Sequence, residues 1–271
     1  MNKHDKVSVI IPYFNAGSTI QETIDSIFNQ SYENFDVWII NDGSTEINAI
    51  EKLKDFEGNE KIHILYQENA GPSLAKNKGV SVSNGKYLCF LDSDNIILEE
   101  YISEAIRAFQ FNQKIDLVYS DFLHFGDQTD IHYSKDIDLF KILIGNPIDN
   151  CVIIKRESFL SVNGFDEYLS KLGLEDWELW INLLKNGKKF HYLNKVHFKY
   201  RVLKTSRTQT SANLKLNIIS DYIYNKHSDI LSKKYNELFY LQKMTVESID
   251  YKIGKKLLAP YRFFKKKIST L

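Results

Sequence analysis

The chain has 271 residues, 43% hydrophobic and 26% charged, with 16 Tyr and 17 Phe. That is long enough for one large domain or two small ones and too rich in aromatics for disorder. Formal net charge is zero, which excludes a whole-protein field that gathers nucleic acid.

Residues 7–11 (VSVII) form a continuous β-branched run ended by Pro12, the pattern of a strand covered on both faces. A helix is predicted next. Ser18 and Gln21 fit a capping box, and Ile20, Ile24, Ile27 and Phe28 fall on one face. Residues 35–40 (FDVWII) read as a second strand closed by Asn41-Asp42-Gly43-Ser44. A strand–helix–strand unit of this kind predicts a right-handed crossover in a parallel sheet. Residues 62–66 read as a strand, Pro72 opens a helix that Gly85 closes, and residues 86–91 form a strand ending at Asp92. Leu98, Tyr101, Ile102, Ala105, Ile106 and Phe109 then stand at helical spacing before a strand at 117–119. Residues 6–121 thus predict a Rossmann-like open α/β sheet.

Farther on, residues 150–155 read as a strand. Trp177, Trp180, Ile181 and Leu184 mark an amphipathic helix stopped by Asn186-Gly187. Beyond about Thr210 a weak polar pattern predicts helix. Cys89 and Cys151 sit in apolar runs and read as buried free thiols of a reducing compartment. No apolar stretch approaches the length of a membrane span, which predicts a cytosolic protein able to rest on the inner face of a membrane. Residues 252–271 hold seven Lys/Arg and no Asp/Glu. Interleaved with aromatics over 254–267, they suit an anionic membrane surface, or else a solvated tail or one packed on the body or on a second subunit.

Four constellations carry chemistry. Asp92-Ser93-Asp94 follows an apolar strand. In extended geometry both carboxylates face one side, and hard oxygen ligands suit Mg²⁺ or Mn²⁺ bridging to phosphates. About one D-x-D is expected by chance in such a chain, and Asp136-Ile137-Asp138 is a second. Only Asp92 stands at the carboxyl end of a strand, where open α/β sheets bind ligands. The same acids also suit a solvated turn. Asn41-Asp42-Gly43-Ser44, at another strand end, could accept from a nucleobase or simply form a turn. Asn69-Ala70-Gly71-Pro72 with Lys76 offers helix-start amides and a cation to a phosphate, or an ordinary helix cap. Glu175-Asp176-Trp177 sets two acids at the start of a helix. Aromatic surroundings can raise a carboxyl's pKa and make it a general base, and the helix dipole alone also favours acids there.

In this order the segments VSVIIPYFNAGSTIQETIDSIFNQSYENFDVWIINDGST, NAGPSLAKNKG, GKYLCFLDSDN, NGFDE and LEDWELW, then Tyr200-Arg201, resemble glycosyltransferase family 2 over roughly residues 5–205. The resemblance implies a GT-A fold: a mostly parallel central sheet flanked by helices. Residues 1–210 would be the catalytic domain, with a nucleotide-binding half to about 121 and an acceptor-side half over 122–210, and residues 211–271 a helical extension with a basic tail. It implies transfer of a sugar, with inversion, from a nucleotide diphosphate donor, typically a UDP-sugar, to a glycan or lipid-linked hydroxyl in surface polysaccharide assembly.

Carried over by position, Pro12, Tyr13 and Asn15 line the nucleotide pocket, Asp42 reads the base, and Lys76 stands where an arginine is usual. Asp92, Ser93 and Asp94 form the family's D-x-D, with Asp94 and Asp92 as ligands of Mn²⁺ or Mg²⁺. Asp176 is the catalytic base, with Glu175 and Trp177 beside it on the acceptor side. Many relatives carry a histidine soon after the Tyr-Arg pair, but here Leu203 and Lys204 follow. Arg201, Lys204 or Arg207 could neutralise the diphosphate, and His197 reads as a packed or surface histidine. A metal-dependent nucleotidyltransferase and a non-catalytic nucleotide-sugar-binding assembly subunit are the competing readings, and on any of them the chain could form a homo-oligomer.

Overall fold

The computed structural model describes residues 5–203 and 215–248, with Lys252 and Lys255 beyond. Lys204, Arg207 and nearly all of the basic tail lie outside the described residues. The described residues belong to two units, Met1–Ile223 and Tyr224–Leu271.

The first unit is built on a nine-stranded sheet, ordered β3-β2-β1-β4-β8-β6-β9-β5, with β7 paired to β6. Strands β1 (Val7–Tyr13), β2 (Phe35–Asp42), β3 (Ile62–Gln67) and β4 (Tyr87–Phe90) pair in parallel. Helices α1 (Ile20–Phe28), α2 (Ile47–Lys54) and α3 (Pro72–Val82) fill the connections; α1 and α3 stand where the sequence pattern predicts them, and α2 adds a helix the pattern did not show. The apolar runs form these strands because both faces are covered: Val7, Val9, Ile10, Ile11, Val37, Ile39 and Ile40 are all fully buried. Each such side chain contributes roughly 1.5–3 kcal/mol by leaving water.

After α4 (Tyr101–Phe111) the sheet continues through β6 (Leu117–Gly126), β8 (Ile153–Lys155) and β9 (Phe190–Val202). Strand β8 is antiparallel to both β4 and β6, and β9 is parallel to β6. Six of the nine strands therefore run one way, a mostly parallel sheet; β5 (Ile96–Ile97) and β7 (Ile131–His132) run against their neighbours. Helices α5 (Leu139–Ile144), α6 (Arg156–Leu160) and α7 (Glu175–Lys185) stand between these later strands in the chain, α6 packed on β8 and α5 on α7. Helices α8 (Leu216–Lys226) and α9 (Ser228–Glu247) form the helical end. Among the described residues no helix is long and apolar enough to cross a membrane.

Several local expectations change. Strand β1 runs through Pro12, because its pairing with β4 ends at Ile10 and the missing N–H is not needed on that side. The capping box does not form: the cap of α1 is Thr19, without a side-chain cap bond. Its hydroxyl instead donates to the Ser93 carbonyl at 2.9 Å, while Gln21 donates to Asp25. Phe28 leaves the buried face and stands 40% exposed, edge-on to Phe35. Helix α3 stops at Val82, before Gly85. Cys89 and Cys151 are buried and free.

Candidate active site

The carboxyl ends of β1, β2 and β4 open on a cleft of about 660 Å³, a size that suits a small-molecule ligand. Pro12, Tyr13, Asn15 and Asp42 line one part of it, and Lys76, Asp92, Ser93 and Asp94 another. Glu175 and Asp176, from the start of α7, and Arg201, from the end of β9, complete the predicted set. Acids from three separate elements thus face one space. Trp177 lies outside the lining: it is buried, and its indole N–H donates to the Ile142 carbonyl at 2.6 Å.

At the β2 end the polar groups are already committed. Asp42 is buried, and its Oδ1 accepts from Gln67 Nε2 and the Ala70 N–H, its Oδ2 from the Gly71 N–H, each at 2.8 Å. The loop amides offered to a phosphate by the sequence are therefore turned onto Asp42. Gly71 takes a φ of +89°, and a Cβ there would lie 2.5 Å from the Ser170 carbonyl oxygen, so only glycine fits. Tyr13 is buried and donates to the Ala49 carbonyl at 2.7 Å; burial, with Glu46, pushes its hydroxyl up to about 12. Asn15, at φ 52°, accepts from the Thr45 and Glu46 N–H groups and so fixes the entry to α2.

The other end is crowded with acids. Asp92-Ser93-Asp94 is a turn rather than an extended pair: β4 ends at Phe90, and the Asn95 N–H donates to the Asp92 carbonyl at 3.1 Å. Both carboxylates still line the cleft. Burial and the nearby Asp92 push the Asp94 carboxyl up to about 6, against the pull of Arg201. Arg201 donates from Nε to the Asp94 carbonyl at 3.0 Å, reaches Glu22 at 2.7 Å, and lies over the Phe125 ring. The second D-x-D has a different fate. Asp138 caps α5, accepting from the Phe140 and Lys141 N–H groups at 2.8 Å.

Lys76 is 2% exposed, its Nζ 3.0 Å from Glu175 Oε1 and 4.0 Å from Asp92 Oδ1. Burial pulls the ammonium down, but Glu175 and Asp92 outweigh it and the net shift is upward. This cation ties α3 to α7 and balances the acids around it. Asp176 follows Leu174, whose φ of 56° turns the chain sharply into the helix. Burial first, and Glu175 next, push the Asp176 carboxyl up to about 6, while Lys76, the Trp177 N–H and Asn146 pull it down. A buried carboxyl held near neutrality is suited to proton abstraction.

Sequence reasoning missed Asp149, Asn146 and Asn150. Asp149 lines the cleft, and burial together with Asp92 pushes its carboxyl up to about 8. Asn150 donates to Asp92 at 3.3 Å. Their segment, Asn146-Pro147-Ile148-Asp149-Asn150, carries only ordinary turn signals. His197 is a packed histidine, stacked on Tyr101 with Nε2 3.0 Å from Glu104, and burial lowers its pKa.

Asp92 and Asp94 fit a hard divalent cation. Two carboxylates crowded enough to raise one pKa gain from a shared positive charge, and Mg²⁺ or Mn²⁺ takes its other ligands from phosphate and water. Among the described residues no cluster of three or more His, Cys, Asp or Glu side chains could hold a metal alone.

Residues 8–165 match the family description Glycosyl transferase family 2, and residues 148–206 match N-terminal domain of galactosyltransferase. The uncharacterized glycosyltransferase RP339 of Rickettsia prowazekii is 30% identical over 231 residues, 80% of this chain and 69% of its own length. Escherichia coli WfaP, a UDP-Glc:alpha-D-GlcNAc-diphosphoundecaprenol beta-1,3-glucosyltransferase, is 30% identical over 207 residues, 72% of this chain and 77% of its own. S. aureus TarS in complex with UDP-GlcNAc superposes with a TM-score of 0.66 at 18% identity, over 76% of this chain and 61% of TarS. That likeness is one of fold. Three further curated relatives are longer: the matched stretch spans 16%, 31% and 28% of their lengths.

Proposed function

The chain belongs to glycosyl transferase family 2 and has the GT-A fold, and from that premise we propose that it moves a sugar from a nucleotide diphosphate donor to an acceptor hydroxyl, with inversion at the anomeric carbon. What carries the reading is the meeting of Asp42, Asp94 and Asp176 in one cleft. The donor we assign is a UDP-sugar. The acceptor is a glycan or lipid-linked hydroxyl in surface polysaccharide assembly; WfaP is named for a lipid-linked acceptor, a GlcNAc on diphosphoundecaprenol.

Each residue has a role the chemistry requires. The acceptor hydroxyl is a poor nucleophile, and Asp176 takes its proton as it attacks. A single displacement inverts the anomeric centre and needs no covalent glycosyl–enzyme, so one base suffices. The departing diphosphate gathers negative charge, which the Arg201 guanidinium beside Asp94 offsets. Asp92 and Asp94 would hold Mn²⁺ or Mg²⁺, which supplies further positive charge at the leaving group. Asp42 and its loop form the nucleoside end.

A thermal-shift screen of UDP-, GDP- and dTDP-sugars with Mn²⁺, followed by product analysis, tests this. The expected outcome is stabilisation by a UDP-sugar and slow release of UDP. Pyrophosphate released from a nucleoside triphosphate would mean nucleotidyl transfer instead. No release from any bound donor would mean a binding subunit.

A further inference from the structure

The loop that leaves α5 reaches back to Asp176. Two residues beyond the end of that helix, Asn146 donates from Nδ2 to Asp176 Oδ2 at 3.0 Å. The amide has a defined orientation, because its Oδ1 accepts from the Ile148 N–H at 3.4 Å. A flip would set an oxygen against the carboxylate. The other Asp176 oxygen accepts from the Trp177 N–H at 2.8 Å. Trp177 is itself anchored on the last turn of α5 through its indole bond to the Ile142 carbonyl. Two consecutive residues of α7 are thus tied to Ile142 and Asn146, and the His132 ring, 3.0 Å from the Pro147 carbonyl, holds the loop from β7.

We propose that Asn146 is a positioning residue for Asp176: its amide N–H keeps the carboxylate in one rotamer at the cleft and favours its charged form before the acceptor arrives. This rests on the reading of Asp176 as general base. The need for such a donor follows from the surroundings. Glu175 on α7 and Asp149 in the loop before β8 both repel charge on Asp176, and among the described residues Lys76 on α3 is the cation that acts on it. In a buried site the charged form depends on each remaining donor, and a hydrogen bond to an ion is worth about twice a neutral one. Asn146 supplies that donor from outside α7, so it can be replaced while every motif residue of the family stays as it is.

The full chain, labelled with ¹³C at aspartate carboxyls, allows the Asp176 titration to be followed directly, since the Asp176 resonance is the one lost in Asp176→Asn. Asn146→Ala is expected to raise its midpoint by about one pH unit, a tenfold change in proton affinity. Asn146→Asp, isosteric but lacking the donor and adding a negative charge, is expected to raise it further, and Asn146→Ser, which keeps a hydroxyl donor, less. The acid limb of kcat for donor hydrolysis should move in parallel, with donor KM within about twofold of wild type. An unmoved Asp176 midpoint in both the Ala and Asp variants overturns the proposal, as does a kcat reduced equally at every pH. Wild-type turnover by Asp176→Asn would remove the base assignment itself, an outcome distinct from either of these.

Discussion

The two ends of the cleft solve the problem of a buried carboxylate in opposite ways. Asp42, at the carboxyl end of β2, receives three N–H donors at 2.8 Å, one from the Gln67 side chain at the end of β3 and two from the Ala70 and Gly71 amides of the following loop. Asp94, Asp149 and Asp176 have fewer donors and more acidic neighbours, and their carboxyls are pushed up to about 6, 8 and 6. The first end is satisfied within the protein and therefore suits recognition. The second is electrostatically incomplete, and a cation, a phosphate-bound metal or a substrate proton would complete it. If Asp42 reads the nucleoside and Asp176 is the base, as proposed, recognition and chemistry are segregated along one cleft.

Breaking the acidic end should cost most. Asp176→Asn keeps the shape of the base but removes its lone-pair basicity, and kcat should fall about a thousandfold with donor KM little changed; steady-state UDP release measures both. Asp94→Ala should reduce kcat/KM about a hundredfold and abolish the Mn²⁺ dependence of donor binding in a thermal-shift titration. If EDTA leaves wild-type turnover intact, the cation role of this end is lost. At saturating Mn²⁺, kcat should fall about tenfold per pH unit below about 6 and level off above it, because Asp176 must be ionised to accept a proton. A flat profile between pH 5 and 8 would contradict the raised carboxyl. The satisfied end should respond through stability rather than turnover. Gly71→Ala forces a side chain into left-handed backbone and against Ser170, with an expected loss of about 2 kcal/mol in urea unfolding and a higher donor KM as Asp42 loses a donor.

The sequence is most readable where burial is two-sided. VSVII and FDVWII announce β1 and β2 because every side chain in those runs is buried, whichever way it points, except Trp38, which is partly so. Strand β9, the longest at 13 residues, escaped notice. Its FHYLNKVHFKYRV mixes charges and aromatics, its burial is mostly partial, and its register with β6 shifts around Asp121. Helix α5 is only six residues long, too short for a periodic signal. In the site, Asp42, Asp92, Asp94 and Asp176 were visible because they follow strands or open a helix in a known order. Asn146 and Asp149 were not, since a polar loop takes its meaning only from what it is folded against. Asp138 and Asp94 make the same point: both sit in a D-x-D, and one caps a helix while the other faces the cleft.

Ser170 sits in the 3-10 turn Tyr168–Lys171, accepts from the Leu74 N–H at 3.3 Å and donates to the Ala70 carbonyl at 2.8 Å, pressed against the bare Cα of Gly71. A hybrid that joined the first 121 residues of this chain to the later stretch of a relative would inherit that lock with only one of its two parts. The Gly71 loop and the Ser170 turn must be exchanged together, so the natural unit of recombination here is the fitted pair rather than either stretch of chain.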